Sequence, residues 1–159
     1  MYTLLPLLLL FATLASGAFA MWKGDTQARI AGVLNILNAV ALPLSRLVTH
    51  HQSNEDEVWQ LAADFIWAVC LLLLAVRYAS RWLGVTMLLQ AAQFSLHAFY
   101  LVAERPNDLF HAWVNNLNVL GISACIAVGT TLAIRQREAD RREAAELEAR
   151  RKQRVSPPA

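Results

Sequence analysis

The sequence predicts an all-α fold, a polytopic transmembrane helix bundle followed by a charged helical tail. Three observations carry that expectation. Hydrophobic residues make up 57% of the 159 and charged residues only 16%, and outside the tail the balance is too apolar for an ordinary soluble domain. The charge is also segregated, because residues 1–134 hold 13 of the 26 charged side chains and the last 25 residues hold the other 13. Finally, the apolar residues gather into five stretches close to the ~20 residues a helix needs to cross a bilayer. With two cysteines and a net charge of +2, the chain is neither a disulfide scaffold nor a nucleic-acid-binding module, and its apolar content excludes disorder. The expected division is a membrane bundle over residues 1–134 and a tail over residues 135–159.

The five spans are expected near residues 2–20, 29–48, 58–76, 82–103 and 112–134. The first contains Leu4–Leu14, which resembles a signal-peptide core, and Ala18-Phe19-Ala20, an A-x-A cleavage pattern. No Lys or Arg precedes that run, however, and charge counting favours keeping it as a span. With five spans and the N-terminus outside, Lys23, Arg29, Arg77, Arg81 and eight basic residues of the tail fall inside, against Arg46 and Arg105 outside. That is 12 against 2, as the positive-inside rule requires, and cleavage after Ala20 would invert it. The second stretch is the weakest, since Asn35, Asn38, Pro43 and Ser45 interrupt it. As an interfacial amphipathic helix it would leave four spans, with the tail still cytoplasmic. Trp22, Trp59, Trp82 and Trp113 fall at span ends, where amphipathic rings prefer to sit. The expected location is a cell membrane, of the bacterial inner-membrane kind.

Polar side chains inside spans face other helices or a wet cavity by default. In the fourth span Thr86, Gln90, Gln93, His97, Tyr100 and Glu104 recur at intervals of three and four, which puts them on one helical face. His111, Asn115, Asn118, Ile122 and Cys125 do the same in the fifth, Asn35, Asn38 and Ser45 in the second, and Asp64 stands alone in the third. Counting ~1.5 Å per residue places Asp64, His97, Asn115 and Asn118 in the outer half of the membrane, and Gln90, Gln93, Asn35 and Asn38 deeper. Two clusters follow: an outward-facing pocket of Asp64, His97, Gln93, Asn115 and Asn118, and a second group of Asn35, Asn38 and Gln90. The competing structural explanation is that Asn, Gln and His merely tie helices together, at roughly 0.6 kcal/mol per contact. Asp64 fits that explanation least, because an ionisable group at a span centre costs roughly 2.5–3.5 kcal/mol.

Other chemistry is poorly supported. His50 and His51 are adjacent, so their side chains diverge on a helix, and no paired-histidine metal spacing occurs. A metal assembled from His51, His97, His111 and a carboxylate is conceivable but unfavoured, and no cofactor is implied. Gly121-Ile122-Ser123-Ala124 faintly resembles a nucleophile motif, but Ser123 is expected deeper than His97. Cys70 and Cys125 read as small apolar fillers. Ala12, Ser16 and Ala20 form a small-residue ridge at spacing four, as do Gly121, Cys125 and Gly129; such ridges let helix backbones approach.

From Arg135 to Arg154 the chain lacks Gly and Pro and is rich in Ala, Glu and Arg, so the fifth helix should continue into the tail. Glu138–Arg142, Glu146–Arg150 and Glu148–Lys152 are i,i+4 pairs in the favourable order. Arg150, Arg151, Lys152 and Arg154 would suit anionic lipid or a cytoplasmic partner. Two functions from different classes follow. The first is a non-catalytic subunit of a membrane assembly, homo- or hetero-oligomeric, with the lipid bilayer and other membrane proteins as partners and no nucleic acid. Its rival is a small transport or sensing protein in which Asp64 and His97 bind a proton, metal or small polar ligand.

Overall fold

The structure is a computed structural model, and it describes residues 4–49, 54–106 and 108–155. These form five helices, α1 (Leu4–Lys23), α2 (Thr26–Thr49), α3 (Asn54–Tyr78), α4 (Arg81–Val102) and α5 (Leu109–Val155), with no strand among the described residues. Four of them, α1, α3, α4 and α5, are long and apolar enough to cross a membrane. The more polar α2 is not one of the four, but it packs along α1 as the second arm of a hairpin. Around the bundle α3 packs on α4, α4 on α5, α5 on α1 and α1 on α2, while α2 meets α3 and α5 more thinly.

The connections show why the helices stop and start where they do. Between α1 and α2, Asp25 caps the new helix: its Oδ1 accepts from the Ala28 N–H at 2.9 Å and its Oδ2 from the Gln27 amide at 2.8 Å. Gly24 is needed there because a Cβ would lie 2.3 Å from the Ala20 carbonyl oxygen and 2.7 Å from Ala28 Cβ. Helix α4 ends with Glu104 in the left-handed region at φ 50. Glu104 N–H donates to Leu101 O at 3.3 Å and Arg105 N–H to Tyr100 O at 3.1 Å, the pair of bonds that closes a Schellman ending. Asp108 then caps α5, accepting from the His111 N–H at 2.8 Å.

The interior joins a small apolar cluster, with Leu71, Leu83, Ile122 and Ile126 in it, to an unusual share of polar side chains. Asp64, Thr86, Gln90, Gln93, His97, Asn118, Ser123 and Thr130 are buried, whereas Leu7, Leu8, Phe11, Phe65, Leu73, Leu88 and Leu117 are exposed. Apolar surface of this extent, wrapped around a polar interior, is compatible with a lipid surround. Close approach replaces apolar bulk in holding α1 to α2. A Cβ on Gly32 would lie 2.8 Å from the Gly17 carbonyl oxygen and 2.9 Å from Ala20 Cβ. On the other side, Gly129 of α5 receives the Trp82 indole of α4, leaving 2.3 Å for a Cβ, and Gly121 receives Leu89. Trp82 is therefore partly a packing residue, unlike Trp22, Trp59 and Trp113, which are mostly exposed.

Helix α5 is longer than the expected span. Its 47 residues measure roughly 70 Å at ~1.5 Å each, more than twice a bilayer's hydrocarbon thickness of ~30 Å. The excess is the charged segment, in which Lys152 pairs with Glu148 at 3.0 Å. Near its root, Arg137 donates to the Lys23 carbonyl oxygen at 3.3 Å, bracing the free C-terminal carbonyls of α1. Thus Lys23, Arg137 and the Trp82 end of α4 lie at one end of the bundle, and the α4–α5 turn lies at the other.

The glycine geometry sets a paired test. Nothing stands within 4 Å of a Cβ at Gly84, so Gly84→Ala should gain up to ~1 kcal/mol from helix propensity. Gly32→Ala should instead lose roughly 1–3 kcal/mol through overpacking against rigid backbone. Unfolding of the two variants in the same detergent, followed by Trp fluorescence, gives both signs.

Candidate functional site

Helix α4 presents its polar stripe inward: Thr86, Gln90, Gln93, His97 and Tyr100 are all buried, together with Leu83. Helix α3 turns Asp64 toward that stripe, and Asp64 is 3% exposed. His97 and Gln90 are seven residues apart on α4, two turns on one face, and they take the two carboxylate oxygens separately. Gln90 Nε2 donates to Asp64 Oδ1 at 3.0 Å, and His97 Nδ1 meets Asp64 Oδ2. The other ring nitrogen, Nε2, lies 3.3 Å from Gln60 Nε2 on α3. The His97 ring is thus held to α3 at both nitrogens, by Asp64 on one side and Gln60 on the other, with the donor and acceptor roles set by the tautomer of the ring.

Beside the pair lies a cavity of about 160 Å³, lined by all five helices: Thr13 of α1, Asn35, Asn38 and Ala39 of α2, Gln60 and Asp64 of α3, Gln93 of α4, and Asn115, Val119 and Ile122 of α5. Several amide donors are spent inside the wall. Asn35 Nδ2 reaches Thr13 O at 3.4 Å and Ser16 Oγ at 3.3 Å, alongside the two glutamine donors already described. The acceptors are less well served, since Gln93 Oε1 and Asn115 Oδ1 are buried with no hydrogen-bond partner in the protein. Gln93 itself is 6% exposed. A smaller space of about 20 Å³ adjoins Asn35, Asn38, Thr86 and Gln90.

From the buried pair, polar rings lead to the α4–α5 turn. The His111 ring centroid lies 5.2 Å from that of His97 and 4.7 Å from that of Tyr100. The Tyr100 hydroxyl donates to Asp108 Oδ1 at 2.7 Å. Hydrogen bonds from the His111 N–H first, and then from Tyr100, hold the Asp108 carboxyl below the usual carboxylate range.

No family model, curated protein or solved structure matches this chain.

The two clusters expected from sequence come together as one. Asn35 and Asn38 share the cavity with Asp64, Gln93 and Asn115, and Gln90 bonds directly to Asp64. Helix α2 touches both α3 and α5, so Asn35 and Asn38 meet residues of the other helices around one space. Asn118 is buried but does not line that cavity, and its Nδ2 has no partner. Ser16 and Ala20 are buried, and Ala12 and Ser16 border a groove against α5. Glu104 leaves the stripe for the exposed turn after α4. Arg150, Arg151 and Lys152 are exposed, far along α5. His50 and His51 lie outside the described residues, as does the Arg154 side chain. Among the described residues no three His, Cys, Asp or Glu side chains gather as a metal set. Cys125 is a half-buried free thiol.

Sequence reading missed Gln60, whose signal was its place four residues before Asp64 on the same face of α3. It also missed Thr13, and Asp108, whose capping position three residues before His111 was visible.

Asp108 offers a pH test. A lowered folded-state value means that its stabilisation is fully present above ~4 and is lost as pH falls through the lowered value. Protection of the His111 amide against exchange, taken relative to an unstructured peptide at the same pH, should therefore fall on acidification from about pH 5 to 2. Asp108→Asn, itself a good cap, should remove that pH dependence.

Proposed function

We propose that the chain is a small multi-pass membrane protein that binds a small polar ligand in its central cavity, as a transport or sensing unit. The observation that carries this reading is the buried Asp64–His97 pair beside a polar cavity lined by all five helices. A pair serving only to tie α3 to α4 needs no such space beside it. Gln93 and Asn115, both in the wall of the cavity, each keep a buried carbonyl oxygen without a protein partner, a state that costs ~1–3 kcal/mol each. On the positive-inside count the α4–α5 turn faces outward and the tail is cytoplasmic, so the cavity lies nearer the outer face. A bacterial inner membrane is the proposed location.

A second reading, favoured by a different observation, is that of a non-catalytic subunit in a homo- or hetero-oligomeric assembly. An apolar groove between α1 and α5, lined by Ala12, Ala15, Ser16, Phe19, Ser123 and Ala124 among others, leaves room on the outer surface for a neighbouring helix. The basic cluster from Arg150 onward stands about 20 Å along α5 beyond Arg137. That reach suits a cytoplasmic protein better than the lipid at the root of the tail.

Native mass spectrometry of the full chain from mild detergent separates the two. Wild type should carry or take up a small polar solute, and Asp64→Asn and His97→Gln should both lose it while keeping the protein's oligomeric state. A stoichiometric membrane partner retained by all three proteins, with no solute in any, would overturn the ligand reading in favour of the subunit.

A further inference from the structure

We propose that the α1–α2 turn binds the phosphodiester headgroup of an anionic phospholipid, held by Arg29 and Arg137. The inference goes beyond the ligand reading and is independent of what the central cavity holds.

Positive charge gathers at this turn without a counter-charge. Arg29 Nε donates to the Gly24 carbonyl oxygen at 3.1 Å, and Arg137 Nη1 to that of Lys23 at 3.3 Å. Two guanidinium groups from different helices, α2 and α5, thus stand on adjoining peptide units. The Lys23 ammonium adds a third charge, 4.3 Å from the centre of the neighbouring Trp22 ring, and all three basic residues are exposed. The carboxylate of the turn, Asp25, is committed to the start of α2, with Oδ1 on the Ala28 N–H and Oδ2 on the Gln27 amide. Among the described residues none of the three cations forms an ion pair.

One cation is enough to serve the C-terminal carbonyls of α1. The second brings like-charge repulsion to the same turn, which a bound anion turns into attraction. Each guanidinium spends one N–H on the protein and keeps the rest of its fork, a donor set matched to phosphate oxygens.

The surroundings favour a lipid over a soluble anion. Trp22 is 74% exposed, and an exposed Trp beside a Lys is the pairing found at a membrane–water boundary. Met21, Ile30 and Val33 are exposed on the same two helices and offer apolar surface to acyl chains. Arg77 and Arg81 of the α3–α4 turn are exposed at the same end of the bundle, where they add to the attraction. On the positive-inside count this end meets the cytoplasmic leaflet, whose lipids carry the negative charge.

The test is Trp-monitored thermal unfolding of the full chain in a non-ionic detergent, titrated with phosphatidylglycerol, phosphatidylcholine of the same acyl chains, or inorganic phosphate. Phosphatidylglycerol alone should raise the midpoint saturably. Arg29→Gln and Arg137→Gln should each raise the half-saturating lipid concentration about fivefold, the factor one basic residue contributes near an anionic surface. The double variant Arg150→Gln/Arg151→Gln, at the far end of α5, should leave it unchanged. If Arg29→Gln fails to fold, Arg137→Gln decides. Equal shifts with phosphatidylcholine would assign the stabilisation to acyl chains, and equal shifts with inorganic phosphate to a soluble anion; either overturns the proposal. So would the absence of a shift in wild type, an unchanged response in Arg137→Gln, or a loss confined to the tail variant.

Discussion

A carboxylate buried among apolar helices is the constraint on which the rest of the bundle depends. Asp64 must be met by donors on a neighbouring helix, and α4 supplies them from positions seven residues apart. Placing Gln90 and His97 on the two carboxylate oxygens fixes the rotation of α4 about its own axis. That rotation turns Thr86, Gln93 and Tyr100 inward with them and leaves Val85, Leu88, Phe99 and Val102 outward. The polar stripe on the inside of α4 and the apolar face on its outside are thus two consequences of satisfying one buried carboxyl group. Leaving such a buried polar group without a partner costs roughly 1–3 kcal/mol, more than an ordinary interhelical contact.

Against this polar seam the chain sets a second device, contact through absent side chains. Gly17 and Gly32 bring α1 and α2 together backbone to backbone, and Gly129 admits the Trp82 ring between α4 and α5. These tight contacts hold the helix pairs on either side of the cavity. The seam between α2 and α3 is packed more thinly, and the polar cavity has residues of α2, α3 and α5 in its wall. The cavity is therefore a product of unequal packing, tight at α1–α2 and α4–α5, loose where Asn35 and Asn38 face Asp64.

How much of this was legible in the sequence differs by residue. Helix periodicity identified the α4 stripe almost whole, because an i, i+3, i+4 pattern of Gln, His and Tyr in an apolar span has one physical outcome. The five helices followed from apolar run length, and the continuation of α5 from the helix propensity of its Ala, Glu and Arg. Periodicity within one helix says nothing about which helices are neighbours, so the meeting of Asn35 and Asn38 with Asp64 was hidden. Gln60 carries no signal in the sequence beyond its spacing from Asp64, yet its side chain reaches His97. The Gly17–Gly32 approach was missed because small residues were sought at a strict spacing of four along one helix, while the contact joins one glycine from each arm of a hairpin. Trp82 was read as an interfacial ring, yet it fills the notch at Gly129.

The central claim is that the His97 ring is held between Asp64 at Nδ1 and Gln60 at Nε2. Nitrogen-15 NMR of histidine-labelled protein in detergent micelles, with His97 assigned by His97→Gln, measures it directly. The geometry predicts that the Nδ1 signal of His97 moves strongly in Asp64→Asn and the Nε2 signal moves in Gln60→Leu. A His97 ring indifferent to both substitutions would contradict it.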